Sequence, residues 1–531
     1  MSETVVGEKG MVTAPHRAAA EAGAEVLRAG GNAVEAMIAA AAAIAVVYPH
    51  MTGIGGDAFM LIAEPGRPPR GIDGAGRAGA GATIAAYRKK GYDAIPPRGG
   101  DAALTVAGAV SVWEMAAEIA TALGGRIPRA DLIADAVALG REGIPVTHSF
   151  NTLAAEHLDE LAPTHGFAAH YLVDGKVPEI GARLAAERLT DTLEHLARAG
   201  FADFYRGDIA IEIAADLEAA GSPVTRADLA AQRASLVTPL SVAITDATVF
   251  NMPPPTQGVA SLIILGLFDR LKVRRAESFE HIHGLIEATK RAWVIRDREV
   301  ADPALSGDLA SYLDAGWLDA EAATIDMRRA SPYPPPDPKG DTVWMGAIDR
   351  NGLAVSFIQS IYFEFGSGVV LPRTGIGWHN RGVGFSLDPK SHRALAPGRK
   401  PFHTLNPPLA RFRDGRTMSY GSMGGDGQPQ FQAAIFTRYL FGDEPADAID
   451  RPRWRWGRTW GREQGSHAGV EMENRFDPDL LGALESAGHV LNVLDKPYAH
   501  AMGHAGMIVR RPDGRFLGAS DPRSDGAAVP A

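Results

Sequence analysis

The 531-residue sequence contains no cysteine, which excludes disulfides, thiolate metal sites and a cysteine nucleophile. Positive charge is also short. Lys and Arg number 53 against 63 Asp and Glu, a net charge of −10, and that balance argues against a nucleic-acid or anionic-membrane partner. Long hydrophobic runs are missing too. The longest, residues 36–47, is too short to span a bilayer and reads as a buried core helix. Residues 1–9 carry neither a basic n-region nor an apolar h-region, so no signal peptide is expected and a cytoplasmic protein is the default. Neither an internal repeat nor a long linker interrupts the chain, and its 46 % hydrophobic and 22 % charged content is that of a globular protein.

What is present is organised around residues 340–368. Two β-rich runs, 342–349 and 353–360, flank the step Asn351-Gly352, the strongest short-range hairpin signal in a sequence. Ahead of them lies Ser331-Pro332-Tyr333-Pro334-Pro335-Pro336-Asp337-Pro338-Lys339-Gly340, which can neither continue a helix nor occupy a central strand. A Pro-rich tail thus runs straight into Asp341-Thr342 at the opening of a buried hairpin. A Thr at a strand start is ordinarily just a β-branched residue suited to a strand. Its other use is as the product of self-cleavage, an N-terminal nucleophile with its own α-amine as base.

Elsewhere the patterning predicts a strand at 11–13 and a helix at 16–29 stopped by Gly30-Gly31. A second, Ala-rich helix at 33–47 follows, capped by Asn32. The loop Gly53-Ile54-Gly55-Gly56-Asp57 is either a plain turn or a place of close backbone approach, and a strand at 58–62 follows it. Further helices are expected at 110–123, 132–141, 184–198, 209–220, 259–271, 281–299 and 430–439, and strands at 240–246, 247–252 and 418–420. His281 and His283 fall on different faces of their helix, making them poor joint metal ligands. No His/Asp/Glu cluster argues for a metal or an organic cofactor. The turn from Gly421 to Gly427 joins a strand to a helix and offers backbone N–H groups to a developing oxyanion, to a phosphate, or to nothing at all. Helices and strands come in blocks rather than in strict alternation, which favours an α/β protein of the α+β type with layered sheets covered by helices.

Several motifs together resemble the γ-glutamyltranspeptidase family of N-terminal nucleophile hydrolases. They are residues 19–33 with Gly30-Gly31-Asn32-Ala33, the 53–57 loop, Pro253-Pro254-Pro255, Glu287-Ala288-Thr289-Lys290-Arg291 with Asp302-Pro303, the Thr342 hairpin, Phe365-Gly366-Ser367-Gly368, and Gly421 to Gly425. They run along nearly the whole chain. The resemblance implies a four-layer αββα sandwich of two stacked, mostly antiparallel sheets flanked by helices. It implies cleavage between Asp341 and Thr342, giving a large chain 1–341 and a small chain 342–531 that together form one domain, with room for a dimer of such pairs. Thr342 would be the nucleophile, Ser360 the group bonded to its hydroxyl, and Gly424 and Gly425 the oxyanion hole, with no metal and no cofactor.

The grip on a γ-glutamyl group does not carry over. Ile84 stands where the family holds an Arg for the substrate α-carboxylate, with Arg77 slightly upstream as a substitute. Tyr362 replaces an Asn, Gly384 falls near the acidic residue that takes the α-amine, Arg381 replaces a Gln, and His403-Thr404 replace a Ser-Ser pair. The segment 386–401 is short for the family's lid loop. What remains is a small basic pocket of Arg381, His403, Thr404 and Tyr362, with Asn380, Arg77 and His379 beside it. Without a carboxylate for an ammonium group, it should not favour an α-amino acid. With Tyr48-Pro49-His50-Met51, Asn380-Arg381-Gly382 and Met502-Gly503-His504-Ala505-Gly506, the resemblance implies a small anionic amide as substrate: hydrolysis of oxamate to oxalate and ammonia, in purine degradation. Glutathione hydrolysis or γ-glutamyl transfer, glutaryl-type acylase activity, and non-catalytic binding of a small anion are the rival expectations.

Overall fold

The computed structural model describes residues 3–332, 341–457 and 469–531. The Pro-rich approach at 333–340 lies outside the described residues. The hairpin forms as expected, from strands Asp341–Asp349 and Ala354–Tyr362. Its turn is closed by Gly352 N–H donating to Asp349 O (2.9 Å), and only Gly352 of the Asn-Gly pair is left-handed (φ +83°). One left-handed residue after a four-residue turn is the bulged form rather than the mirror-image two-residue form. Asp349 also reaches out of the turn: its Oδ2 accepts from Ala33 N (3.1 Å). The hairpin tip is thereby bonded to the first turn of helix Ala33–Val47. That helix carries the expected Asn32 cap, completed by Glu35 into a capping box, and every one of its residues is buried.

Two seven-stranded antiparallel sheets form the middle of the molecule. The first runs, in spatial order, Ala527–Pro530, Gly10–Ala14, Asp341–Asp349, Ala354–Tyr362, Asp57–Ala63, Arg70–Asp73 and Ser235–Val237. The second runs Val5–Gly7, Phe516–Ser520, Ala505–Arg510, Thr417–Ser422, Leu409–Phe412, Ala247–Asn251 and Leu240–Ala243. Each sheet therefore draws strands from both sides of position 342. Met11, Phe59, Leu61, Trp344, Ile358, Leu409 and Ile508 fill the space between the sheets. On the outer face of the first, Val12, Met60, Met345 and Phe357 pack under the alanine-rich helix and its neighbours. On the outer face of the second, Val249, Met418 and Val509 pack under helices Gly258–Arg270, Phe279–Glu299 and Gln428–Leu440. The arrangement is the expected helix–sheet–sheet–helix sandwich.

The departures from the sequence reading are local. The helix expected from 184 begins at Glu187, because Arg183–Leu184 is taken up as a strand against Ile144–Pro145. Helices His148–Glu156 and Pro478–Ser486 had no expected counterpart.

Candidate active site

Thr342 lies at the end of a central strand, and the ladder breaks there. Asp341 pairs with Tyr362 but Val343 pairs with Gln359, so Ser360 and Ile361 together oppose Thr342. A bulge of this kind bends a strand and re-aims its side chains. Here it accompanies a contact in which Thr342 Oγ1 donates to Ser360 Oγ at 3.2 Å, both residues being buried. Ser360 Oγ also accepts from Tyr362 N at 2.8 Å. Tyr362 has a positive φ of 79°, a backbone that a bulky residue adopts only where its surroundings hold it there. From the other side Gly56 backs the pair: a Cβ at Gly56 would run into Ser360 O. The glycine-dense loop is thus a site of close approach rather than a plain turn.

The turn at Gly424 reaches the same end of the sandwich from the second sheet. Gly421, just ahead of it, leaves room for the indole of Trp344, which is two residues beyond Thr342. Gly424 has φ +117° and Gly425 φ +52°, conformations that favour glycine, and a short 3-10 turn (Gly425–Gly427) then enters helix Gln428–Leu440.

Arg381 is 2 % exposed, and its guanidinium carbon lies over the Tyr362 ring, 3.4 Å from the centroid. Its Nη1 donates to Thr404 Oγ1 (3.3 Å), while Nε and Nη2 make no hydrogen bond among the described residues. Burial lowers the Arg381 pKa, opposed by Tyr362, Asp426 and Asp57, but a guanidinium stays charged. Gly384 faces it: a Cβ there would stand 3.1 Å from Nη2. Arg381 is thus a buried cation, paired with no carboxylate among the described residues and stacked on the residue that touches Ser360.

The other residues of the expected pocket divide. His403 Nε2 stands 3.0 Å from Asp57 Oδ2, and Phe59 packs edge-on to its ring. His379 donates through Nε2 to Thr105 O (3.0 Å), with Nδ1 3.6 Å from the same Asp57 oxygen. Asp57 Oδ1 accepts from Gly76 N and Gly108 N, both at 2.9 Å. Burial works to raise the Asp57 carboxyl, but the two imidazoles and the Gly76 N–H outweigh it and leave the pKa lowered. Asn380 uses both ends of its amide on backbone, accepting from Phe363 N (3.1 Å) and donating to Pro97 O (2.9 Å). Arg77 is exposed and donates to Gly398 O (2.8 Å), on the outer surface rather than in the buried group around Arg381. The cationic character expected of the pocket is therefore carried by Arg381.

Sequence reasoning missed the part Asp57 plays beside His403 and His379. No local spacing links Asp57 to His403. Only its place opposite Ser360 in the strand ladder hinted at a role, and that needs the register.

One His/Asp/Glu group does form among the described residues. His283, Glu287 and His489 come together, with His283 Nδ1 and His489 Nε2 2.8 Å apart. His281 does face elsewhere, toward Thr437 (2.8 Å). Glu287 is already taken, by Lys290 Nζ (2.7 Å), Ser331 N (3.1 Å) and Arg291 Nη1 (3.2 Å). A divalent ion would add buried positive charge beside two cations, so the cluster reads as a hydrogen-bonded network.

Burial lowers His403 to about 4 against the raising effect of Asp57, and burial with Lys290 lowers His489 to about 3. Both rings are neutral in the folded protein at pH 7, whereas in the unfolded chain they protonate near 6.5. Between those values the unfolded state binds more protons, so stability rises with pH across roughly pH 4 to 6.5 and is lost as pH falls through that window. The melting temperature should fall steadily from pH 7 to pH 5. His403→Asn should flatten part of the slope, by about 2 kcal/mol down to pH 5 out of about 3 kcal/mol for the whole shift. Calorimetry at stepped pH checks it; equal slopes in the two proteins would remove the His403 contribution.

Two antiparallel sheets face to face with helices on both outer faces form the layered fold of the N-terminal nucleophile hydrolases. The chain belongs to the γ-glutamyltranspeptidase family, whose profile matches residues 19–531, and is an enzyme of that family. It is 51 % identical to the oxamate amidohydrolase proenzyme of Klebsiella pneumoniae subsp. pneumoniae over the full length of both chains. It is 38 % identical, again end to end, to a glutathione hydrolase-like proenzyme of Bacillus subtilis. Among solved structures it resembles the cephalosporin acylase from Bacillus halodurans, with a TM-score of 0.90 and 33 % identity, covering 100 % of this chain and 97 % of that one. Among the described residues no helix is long and apolar enough to cross a membrane.

Proposed function

We propose that the protein is a self-processing amidohydrolase whose nucleophile is Thr342 and whose substrate is oxamate, cleaved to oxalate and ammonia. The observation that carries the substrate is the buried Arg381 guanidinium on Tyr362, whose Nε and Nη2 are bonded to no carboxylate among the described residues, with none at position 384. The 51 % identity to an oxamate amidohydrolase proenzyme supports the same reading. In the precursor, Thr342 Oγ attacks the carbonyl carbon of Asp341, and the 341–342 amide becomes an ester that water cleaves. The freed Thr342 α-amine then serves as the base for substrate. It takes the Oγ proton as Oγ attacks the amide carbon, and delivers it to the nitrogen that leaves as ammonia. The Gly424 and Gly425 N–H groups hold the tetrahedral oxyanion. Water attacks the acyl ester, releases the acid and restores the hydroxyl.

The purified protein is expected to run as two chains on a denaturing gel, the smaller one beginning at Thr342 by N-terminal sequencing. An active, intact single chain would sink the mechanism. The substrate is tested by ammonia or amine release from oxamate, glutaryl amides and γ-glutamyl-p-nitroanilide side by side. A preference for the γ-glutamyl compound would return the protein to glutathione hydrolysis.

A further inference from the structure

Gln257 is fully buried at the entry to helix Gly258–Arg270. Its backbone is stitched to the 403–404 segment, with Gln257 N donating to His403 O (2.9 Å) and His403 N donating to Pro255 O (2.8 Å). Its side chain does something different. Nε2 donates at once to Thr404 O (2.8 Å) and to Gly425 O (3.0 Å), and Oε1 accepts from Arg296 Nη1 (3.1 Å). The same Arg296 nitrogen donates to Asp426 Oδ1 at 2.5 Å. Both N–H groups and the oxygen of the amide are engaged, and a flipped amide would set oxygen against two carbonyls, so the orientation is fixed. One rigid group therefore ties residue 404, whose hydroxyl touches Arg381, to residue 425, in the turn at the oxyanion position.

Resting on the reading above, we propose that Gln257 is a specificity-determining positioning residue that sets the distance between the carboxylate-binding guanidinium and the oxyanion donors. In oxamate the carboxylate is bonded directly to the reacting carbonyl carbon, and each added methylene moves it one bond further away. A fixed spacing admits the shortest acid and misplaces the carbonyl of longer ones. Gln257 does not touch substrate. It acts by preventing the 424–427 turn and the 404 segment from moving apart.

The test compares kcat and KM for oxamate, malonamate and succinamate in the wild type, Gln257→Ala and Gln257→Glu. The Glu variant keeps the shape of Gln and turns an acceptor toward the two carbonyls. Both variants should lose about 100-fold in kcat/KM for oxamate, mostly in kcat, the scale at which misplacing a reacting group acts. The succinamate-to-oxamate ratio should rise at least about tenfold. A merely structural role would lower all three substrates equally, and an equal loss or an unchanged ratio overturns the proposal. Two-chain processing and a melting curve establish folding, and the near-isosteric Gln257→Met replaces any variant that fails it. If the wild type instead prefers a longer acid, the oxamate reading fails, while Gln257 is still judged by whether its variants shift the length that the wild type does prefer.

Discussion

Thr342→Ala should yield a single uncut 531-residue chain that turns over no amide. The bulge sets one hydroxyl, bonded to Ser360 Oγ, opposite two residues of the neighbouring strand. In the proposed mechanism that hydroxyl attacks twice, first the 341–342 amide and then the substrate. Removing it leaves neither reaction a nucleophile, and loss of a hydrolase nucleophile costs on the order of 10^6-fold in kcat. Thr342→Ser keeps the oxygen but frees its rotamer, since a β-branched side chain is stiffer at χ1 than a serine. It should therefore process slowly and retain part of the activity. Intact mass spectrometry over a time course separates the cases. Cleavage in the Ala variant would remove Thr342 from the mechanism.

Arg381→Lys should weaken oxamate turnover by about 30-fold or more while self-cleavage proceeds normally. A guanidinium presents a flat fork that can stack on Tyr362 and still offer two parallel donors to a carboxylate, and an ammonium on a flexible stem can do neither. Breaking a desolvated charged hydrogen bond costs about 2–5 kcal/mol, and about 1.4 kcal/mol is a factor of ten. Processing should survive because the group that attacks the 341–342 bond contains Thr342, Ser360 and the glycine turn but not the guanidinium. The decisive numbers are kcat/KM for oxamate and for γ-glutamyl-p-nitroanilide in both proteins. If Arg381→Lys leaves oxamate turnover unchanged, the carboxylate binds elsewhere.

The hairpin, the Asn32-capped helix and the helices with clear periodicity were legible in the sequence because their signals are local: a turn pair, a cap, a 3.6-residue repeat. The layer arrangement was legible from the order of blocks and from the family resemblance. What stayed hidden is whatever depends on pairing between distant segments. The bulge opposite Thr342 arises from a register that no residue type announces. His403 read as a basic pocket residue, but burial makes it neutral in spite of Asp57 beside it, and the two are 346 positions apart (403 − 57). His283 likewise met a partner 206 positions away. Gln257 sat in a proline-rich loop and gave no hint that its amide would bridge two later segments.

The interleaving of strands changes what kind of object a cut at 341–342 leaves behind. Gly10–Ala14 is held between Ala527–Pro530 and Asp341–Asp349, and Val5–Gly7 closes the other sheet against Phe516–Ser520. The severed pieces could not drift apart without dismantling both sheets. Folding of the uncut chain is a unimolecular search, whereas recovery of the cut form from denaturant would be a second-order encounter of two fragments, neither of which holds a complete sheet. The cut enzyme would thus owe its persistence to a slow unfolding rate, and its denaturation would show hysteresis that deepens on dilution. It would be a molecule assembled once, as a precursor, and not readily assembled again.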